Sequence, residues 1–345
     1  MRKAFMGHAR ALCFTQKTAA VLALLLLTTS AVSCNSSDIG GEESTDTQTV
    51  TEETGIKNGD VFVMDGHLSE VVYPLKGSMV TYAGSLMQSI YDSYLANGTH
   101  QIAVSIVPDK NVYLTSTDDH AAGNLDDIPV MDYAEMTSLL RAETDDFAKF
   151  VDLTQSLSLS SYYYTDMHWR QEYLAGTAHL LCDAFGQKLY FEGSGLDFTT
   201  QPFVGSYTED ALVSEAETDH MYYLTNDTLS QITVVDYVNG IPQPGVLYNT
   251  DITADQKTYD LFLSGPMPLQ VLESPNAATD RELIIFRDSF GSSIAPYFCE
   301  QYARVTLVDL RYLGSGVLAD YITFDDQDIL FLYSTHILNT AMILK

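Results

Sequence analysis

The chain has 345 residues, with 17 Lys and Arg against 46 Asp and Glu, and its formal net charge is −29. So acidic a surface repels phosphate backbones and anionic lipid headgroups, which excludes nucleic-acid binding and electrostatic attachment to a membrane. Yet 46% of the residues are hydrophobic and 11% aromatic, far too apolar for a disordered acidic tail and enough to bury a real core.

The first 33 residues read as an export signal. Arg2, Lys3, Arg10 and Lys17 make a positive n-region, no acidic residue precedes Asp38, and Ala19 to Leu27 is a short apolar run. Such a run is too short for an ordinary membrane-spanning helix and has signal-peptide form. It leads to Ala31-Val32-Ser33-Cys34, which resembles a bacterial lipobox, so Cys34 is expected to carry lipid and anchor the protein outside the cytoplasm at the cell surface. The lipid chains contribute about 0.8 kcal/mol per buried methylene. Residues 34–57 are expected to form a solvated acidic tether. From Cys34 to Ile56 there are six acidic residues, many Ser and Thr, and no Lys or Arg, a composition that cannot bury enough apolar surface to fold.

The body, 58–345, alternates strand and helix signals. Asp60 to Met64 is a short strand ending in the turn Asp65-Gly66. Val80, Ala83, Leu86, Ile90 and Tyr94 recur at helical spacing within an amphipathic helix of about Leu75 to Leu95. Gln101 to Val107 reads as a buried strand stopped by Pro108-Asp109, and Asp132 as the N-cap of a helix to about Ala142. A strand near Phe150 to Leu153 precedes the run Tyr162-Tyr163-Tyr164 and a helix from Gln171 to Phe185, closed by Gly186. Residues 187–275 read as a β-rich insertion. Then Leu283–Phe286, Val305–Leu310 and Ile329–Tyr333 read as strands, with helices at Gly291–Tyr302 and Ile337–Leu344. Short apolar strands each followed by a helix predict an α/β fold, a mostly parallel sheet covered by helices. Cys182 and Cys299 both lie in apolar helical patterns, so they are either a disulfide of an exported protein or two buried thiols.

Two places carry candidate chemistry. In Tyr164-Thr165-Asp166-Met167-His168-Trp169 a carboxylate stands two residues before an imidazole, close enough to accept from one ring nitrogen and leave the other free as a base. The same spacing occurs at Asp65-Gly66-His67 and Asp118-Asp119-His120, so spacing does not choose among the three. In Ile284 to Ser292 a buried strand ends in Arg287-Asp288-Ser289-Phe290-Gly291 and a helix begins. A Ser there is well placed as a nucleophile, with helix N–H groups to receive an oxyanion. Alternatively Asp288 or Ser289 only caps the helix.

Taken together the residues resemble the DHHW family, named for an Asp-His-His-Trp motif, and more widely the acetyltransferase-like branch of the SGNH hydrolases that includes bacterial alginate O-acetylation proteins. The matching stretches, in order, are Asp60 to Leu68, Val107-Pro-Asp-Lys-Asn-Val-Tyr113, Tyr164 to Trp169 and Arg287 to Gly291, supported by Leu307 to Tyr312 and Asp328 to Tyr333. The resemblance implies an SGNH-hydrolase-like (flavodoxin-like) fold over nearly everything after the tether. It implies Ser289 as nucleophile, His168 as general base and Asp166 as its orienting carboxylate, with Arg311, Tyr333 and Trp169 lining the substrate or oxyanion. Met167 departs from the family's first His, so any role of that His is lost. The activity implied is O-acetyl transfer or acetyl-ester hydrolysis on a cell-envelope polysaccharide, with no cofactor and no metal. A non-catalytic glycan-binding or assembly lipoprotein keeping a relic site is the alternative.

Overall fold

The computed structural model describes residues 59–113, 128–189, 195–198, 203, 205–207, 212, 216–252 and 258–345, all within one unit, Thr54–Lys345. The signal segment, Cys34, the tether and the Asp118-His120 pair lie outside the described residues.

In chain order the elements are β1 (Val61–Met64), β2 (His67–Glu70), α1 (Gly77–Ile90), β3 (Ile102–Val107), α2 (Tyr133–Thr144), β4 (Lys149–Phe150), α3 (Ala175–Ala184), β5 (Gly195–Phe198), β6 (Tyr222–Thr225), β7 (Thr233–Val238), β8 (Ile241–Gly245), β9 (Leu269–Glu273), β10 (Thr279–Arg287), α4 (Phe290–Phe298), β11 (Tyr302–Val308), β12 (Asp328–Ser334) and α5 (Thr335–Leu338). Eight strands form one sheet in the order β4-β3-β12-β10-β11-β9-β7-β8. Neighbours from β4 to β11 pair parallel, and β9, β7 and β8 extend the sheet antiparallel. The mostly parallel α/β sheet expected from the strand–helix alternation is therefore present.

The β-rich stretch divides between two sheets. β7 to β9 continue the main sheet, whereas β5 and β6 form a separate ribbon, as do β1 and β2. Two-residue turns with positive φ at both positions, Asp65-Gly66 and Asn239-Gly240, close the β1–β2 and β7–β8 hairpins, as a right-twisted hairpin requires. Pro242 and Pro244 fall in β8 at the sheet's edge, where a missing N–H costs no ladder bond.

The central strands are continuous apolar runs because both faces are covered. Leu283 and Ile285 of β10 face a core with Ala178 and Leu181 of α3 and Ile294 and Phe298 of α4. Ile284 and Phe286 face the other core, with Val80, Ala83 and Met87 of α1 and Met136 and Leu140 of α2. The Asp132 side chain does accept from Glu135 N–H at 2.8 Å to start α2. Several helices are shorter than periodicity alone suggests. Gln171–Tyr173 is a 3₁₀ turn ahead of α3, Tyr302 already belongs to β11, and the last helix begins earlier and breaks into a 3₁₀ turn at Ala341–Ile343. Cys182 and Cys299 are free and buried in the same core, which decides for two thiols over a disulfide. Among the described residues no helix is long and apolar enough to cross a membrane.

Candidate active site

Parallel strands put their carboxyl ends on one edge of the sheet, the usual place for a site in open α/β folds. At that edge β3 delivers Asp109 and Lys110, β10 delivers Asp288 and Ser289, β11 delivers Asp309, and β12 delivers Ser334 and then Thr335.

Ser289 begins the turn from β10 into α4. Asp288 stitches this turn to its neighbour: one carboxylate oxygen accepts from Phe290 N–H at 3.0 Å and the other from Ser334 N–H at 2.8 Å. Gly291 is required here, because a Cβ on it would stand 2.7 Å from Arg287 Cβ. Arg287 is fully buried and cannot retreat, since its guanidinium donates to Gln270 Oε1 at 2.8 Å. The amides of Phe290, Gly291 and Ser292 are all engaged within the turn, by Asp288 Oδ1, Asp288 O and Ser289 O. The helix start therefore offers fewer free N–H groups to an oxyanion than the bare strand-to-helix pattern implies. Ser289 makes no side-chain cap; its hydroxyl instead meets His168.

His168 Nε2 lies 2.7 Å from Ser289 Oγ, across 121 residues of chain, and Nδ1 lies 2.6 Å from Asp166 Oδ1. A carboxylate only accepts, so Nδ1 carries the proton and donates it; Nε2 is then the acceptor for the Ser289 hydroxyl. Asp166 is almost wholly buried and also accepts from the backbone N–H of His168 at 2.8 Å and of Ser206 at 2.7 Å. Burial pushes its pKa up, but the charge and hydrogen bonds of His168 and the Ser206 amide outweigh burial, and the net shift is downward. The carboxylate thus stays ionised beside the imidazole.

Aromatic packing sets the ring plane. His168 stacks on Tyr259 with centroids 3.7 Å apart and 9° between planes, and tilts against Phe290 at 4.7 Å. Tyr259 is anchored in turn, its hydroxyl 2.8 Å from Ser293 Oγ on α4. The loop itself is pinned by Asp219, whose carboxylate accepts from Tyr164 N–H, Thr165 N–H and Thr165 Oγ1 at 2.8, 2.6 and 2.7 Å. Gly205 approaches Thr165 so closely that a Cβ would sit 2.0 Å from its carbonyl oxygen, and this approach brings the Ser206 amide to Asp166. Asp219, Ser206 and Tyr259 lie 40 to 93 residues beyond Asp166, and nothing local in the sequence marks them.

The other expectations fare differently. Trp169 does not line a cleft: it is fully buried, and its indole N–H is shared between Phe290 O at 3.0 Å and Ser293 Oγ at 2.9 Å. It ties the His168 loop to α4 beneath the site, because so large a ring is more stable in the core once its N–H has a partner. Tyr333 is likewise a core residue, 1% exposed, on the α1–α2 side of the sheet. Arg311 is committed to Asp309, with Nε and Nη2 at 2.9 and 2.6 Å from its two oxygens. None of the three lines the pocket beside the serine. His67 is buried against the Tyr164 ring at 4.3 Å, its Nδ1 3.3 Å from Tyr163 O, so its Asp-x-His supports the loop from below.

That pocket is narrow, about 20 Å³, and is lined by Lys110, Tyr207, Ser334 and the chain neighbours of His168 and Ser289, Met167 and Phe290, but not by Ser289, His168 or Asp166 themselves. Met167 thus gives an apolar wall where the family motif has His. A larger groove of about 610 Å³ lies at the opposite, amino ends of β10 and β11, among Arg281, Glu282, Arg304 and Tyr321, and contains none of these residues. Among the described residues no three His, Cys, Asp or Glu side chains converge as a metal site requires.

No protein-family model and no curated protein matches the chain. Solved structures do. A DHHW family protein from Eubacterium siraeum superposes with a TM-score of 0.63 at 17% identity, covering 83% of this chain and 94% of its own. Bacillus cereus PatB1 with a sulfonyl adduct superposes with a TM-score of 0.61 at 16% identity, covering 81% and 96%. The chain therefore shares the SGNH-like α/β fold of a DHHW family protein over nearly that protein's whole length, as its motifs imply.

Proposed function

We propose that this chain is a lipid-anchored, serine-dependent O-acyltransferase or esterase that handles acetyl groups on a cell-envelope polysaccharide. The observation that carries the reading is the unbroken chain Ser289 Oγ to His168 Nε2 and His168 Nδ1 to Asp166, within a fold shared with PatB1, itself solved with a sulfonyl adduct. Sulfonyl electrophiles are attacked by activated hydroxyls, so the likeness suggests a direct probe for this chain.

In the proposed reaction Ser289 Oγ attacks the carbonyl carbon of an acyl ester as its proton passes to His168 Nε2. The ester π electrons move onto the carbonyl oxygen, where the Ser289 amide is the proposed donor. As the tetrahedral adduct collapses, the C–O bond to the leaving alcohol breaks and that alcohol takes the proton from His168. The acyl-serine is then attacked by a sugar hydroxyl, or by water, which gives its proton to His168; as this second adduct collapses, the bond to Ser289 Oγ breaks and Oγ takes that proton back from His168 Nε2. Asp166 keeps the imidazole in the tautomer that starts the cycle and stabilises the imidazolium that forms. Cys34 lipidation and the acidic tether would hold this body outside the membrane.

The test is covalent labelling of the full-length protein with a fluorophosphonate or a sulfonyl fluoride, read by intact mass and peptide mapping. The expected result is one adduct on Ser289, absent from Ser289→Ala, together with loss of acetyl-ester turnover in that variant. Turnover unchanged in Ser289→Ala, or a wild-type serine inert to both probes, overturns the reading and leaves the glycan-binding alternative.

A further inference from the structure

Lys110 closes the end of β3 and is 2% exposed, a rare place for a lysine with no ion pair. Its ammonium donates to Leu68 O at 2.5 Å and stands 5.7 Å from the Tyr207 ring centroid; no carboxylate of the described residues is within ion-pair distance. Leu68 is itself the residue of β2 whose N–H donates to Tyr164 O at 2.7 Å, at the start of the loop that holds Asp166 and His168. The lysine therefore sits behind that loop, gripping the strand to which the loop is stitched, and borders the pocket beside Ser289.

We propose that Lys110 is a positioning residue for the Ser289–His168–Asp166 chain, its ammonium fixing β2 against the catalytic loop and placing a positive charge behind Asp166. This rests on the acyl-transfer reading above. Two carboxylates, Asp166 and Asp219, are the charges that favour its ionised form, while burial opposes it and pulls the ammonium down to about 7. The charge also bears on His67 of β2, which it pushes toward neutrality. The remaining titratable groups around it are Glu70 on β2, Tyr207, Asp109 at the end of β3 and His336 after β12. A hydrocarbon stem alone would fill this space without the desolvation cost, so the charge is retained against stability, as is usual at functional sites.

The experiment compares full-length wild type, Lys110→Met and Lys110→Arg. Two quantities are followed across pH 5–9: the rate of fluorophosphonate labelling, and kcat and KM for p-nitrophenyl acetate. Lys110→Met is expected to lower both kcat and the labelling rate at least tenfold with KM changed less than about twofold. Lys110→Arg, which keeps the positive charge, is expected to restore both toward wild type. A folded Met variant with wild-type kcat and labelling rate overturns the proposal. If the Met variant does not fold, a folded Arg variant whose kcat falls tenfold or more overturns it equally. A wild-type protein that fails to label at Ser289 overturns the acyl-transfer reading and this inference with it, whereas labelling of wild type and variants alike at every pH overturns this inference alone.

Discussion

Asp166 holds a loop and a ring orientation at once. Its two oxygens accept from His168 twice and from Ser206 once, so the loop conformation and the imidazole tautomer are held by the same group. An Asn at this position presents an NH₂ to Nδ1, which forces the proton to Nε2, where it can no longer accept from Ser289. Asp166→Asn is expected to lower kcat by on the order of 10³–10⁴ and to lower the melting temperature too, because the oxygen that faces Nδ1 also accepts from the His168 N–H; both are measured, on an acetyl ester and by thermal unfolding. Asp166 and His168 were legible as a pair from their spacing, and the resemblance singled them out from two other Asp-x-His pairs. Asp219 was not legible, because a carboxylate that satisfies three donors of a loop 54 residues upstream leaves no mark on its own neighbourhood. For Trp169 the resemblance implied a lining role, whereas its indole N–H is satisfied inside the core by Phe290 O and Ser293 Oγ.

The element scale is governed by how closely backbones approach. Strand β10 must end and α4 must begin over the aliphatic part of Arg287, and only Gly291 permits it. Gly291→Ala is expected to destabilise the protein by about 1–3 kcal/mol and to lower the rate of Ser289 labelling, since the turn that bears the serine must shift. Gly176 in the first turn of α3 meets nothing within 4 Å of a built Cβ. There Gly176→Ala is expected to leave labelling unchanged and raise stability by up to about 1 kcal/mol. Urea unfolding of both variants beside labelling rates separates the two. The strands were legible because each carries an apolar run with a helix after it. Helix ends were less so, since periodicity continues through the 3₁₀ turn at Gln171–Tyr173 and into the strand at Tyr302.

At the scale of the whole molecule, the acidic composition is accompanied by buried groups that oppose protonation. His67 is pulled down to about 3, chiefly by burial and then by the charge of Lys110, against the Tyr163 carbonyl, which favours the proton. In the unfolded chain it titrates near 6.5. Its neutral form therefore contributes stability that is fully present above pH 6.5 and is lost as pH falls from there toward 3. One such proton gives a slope of at most about 1.4 kcal/mol per pH unit. Denaturant unfolding between pH 6.5 and 4 is expected to show it, and His67→Gln to remove it; an unchanged slope in that variant would refute the assignment.

What the sequence by itself determined is what local chemistry writes into short stretches. Those are the α/β alternation, the turns at Asp65-Gly66 and after Val107, the Asp132 cap, the excess of negative charge, and a Ser and an Asp-x-His as separate candidates. Only the tertiary structure decided which candidates meet. Strand order places β12 between β3 and β10, bringing Ser334 N–H to Asp288, and the loop before α3 folds back to set His168 at 2.7 Å from Ser289. Pairing of that kind depends on sheet order and on buried residues far apart in the chain, such as Asp219 and Tyr259, whose effect is felt only once the core has closed around them.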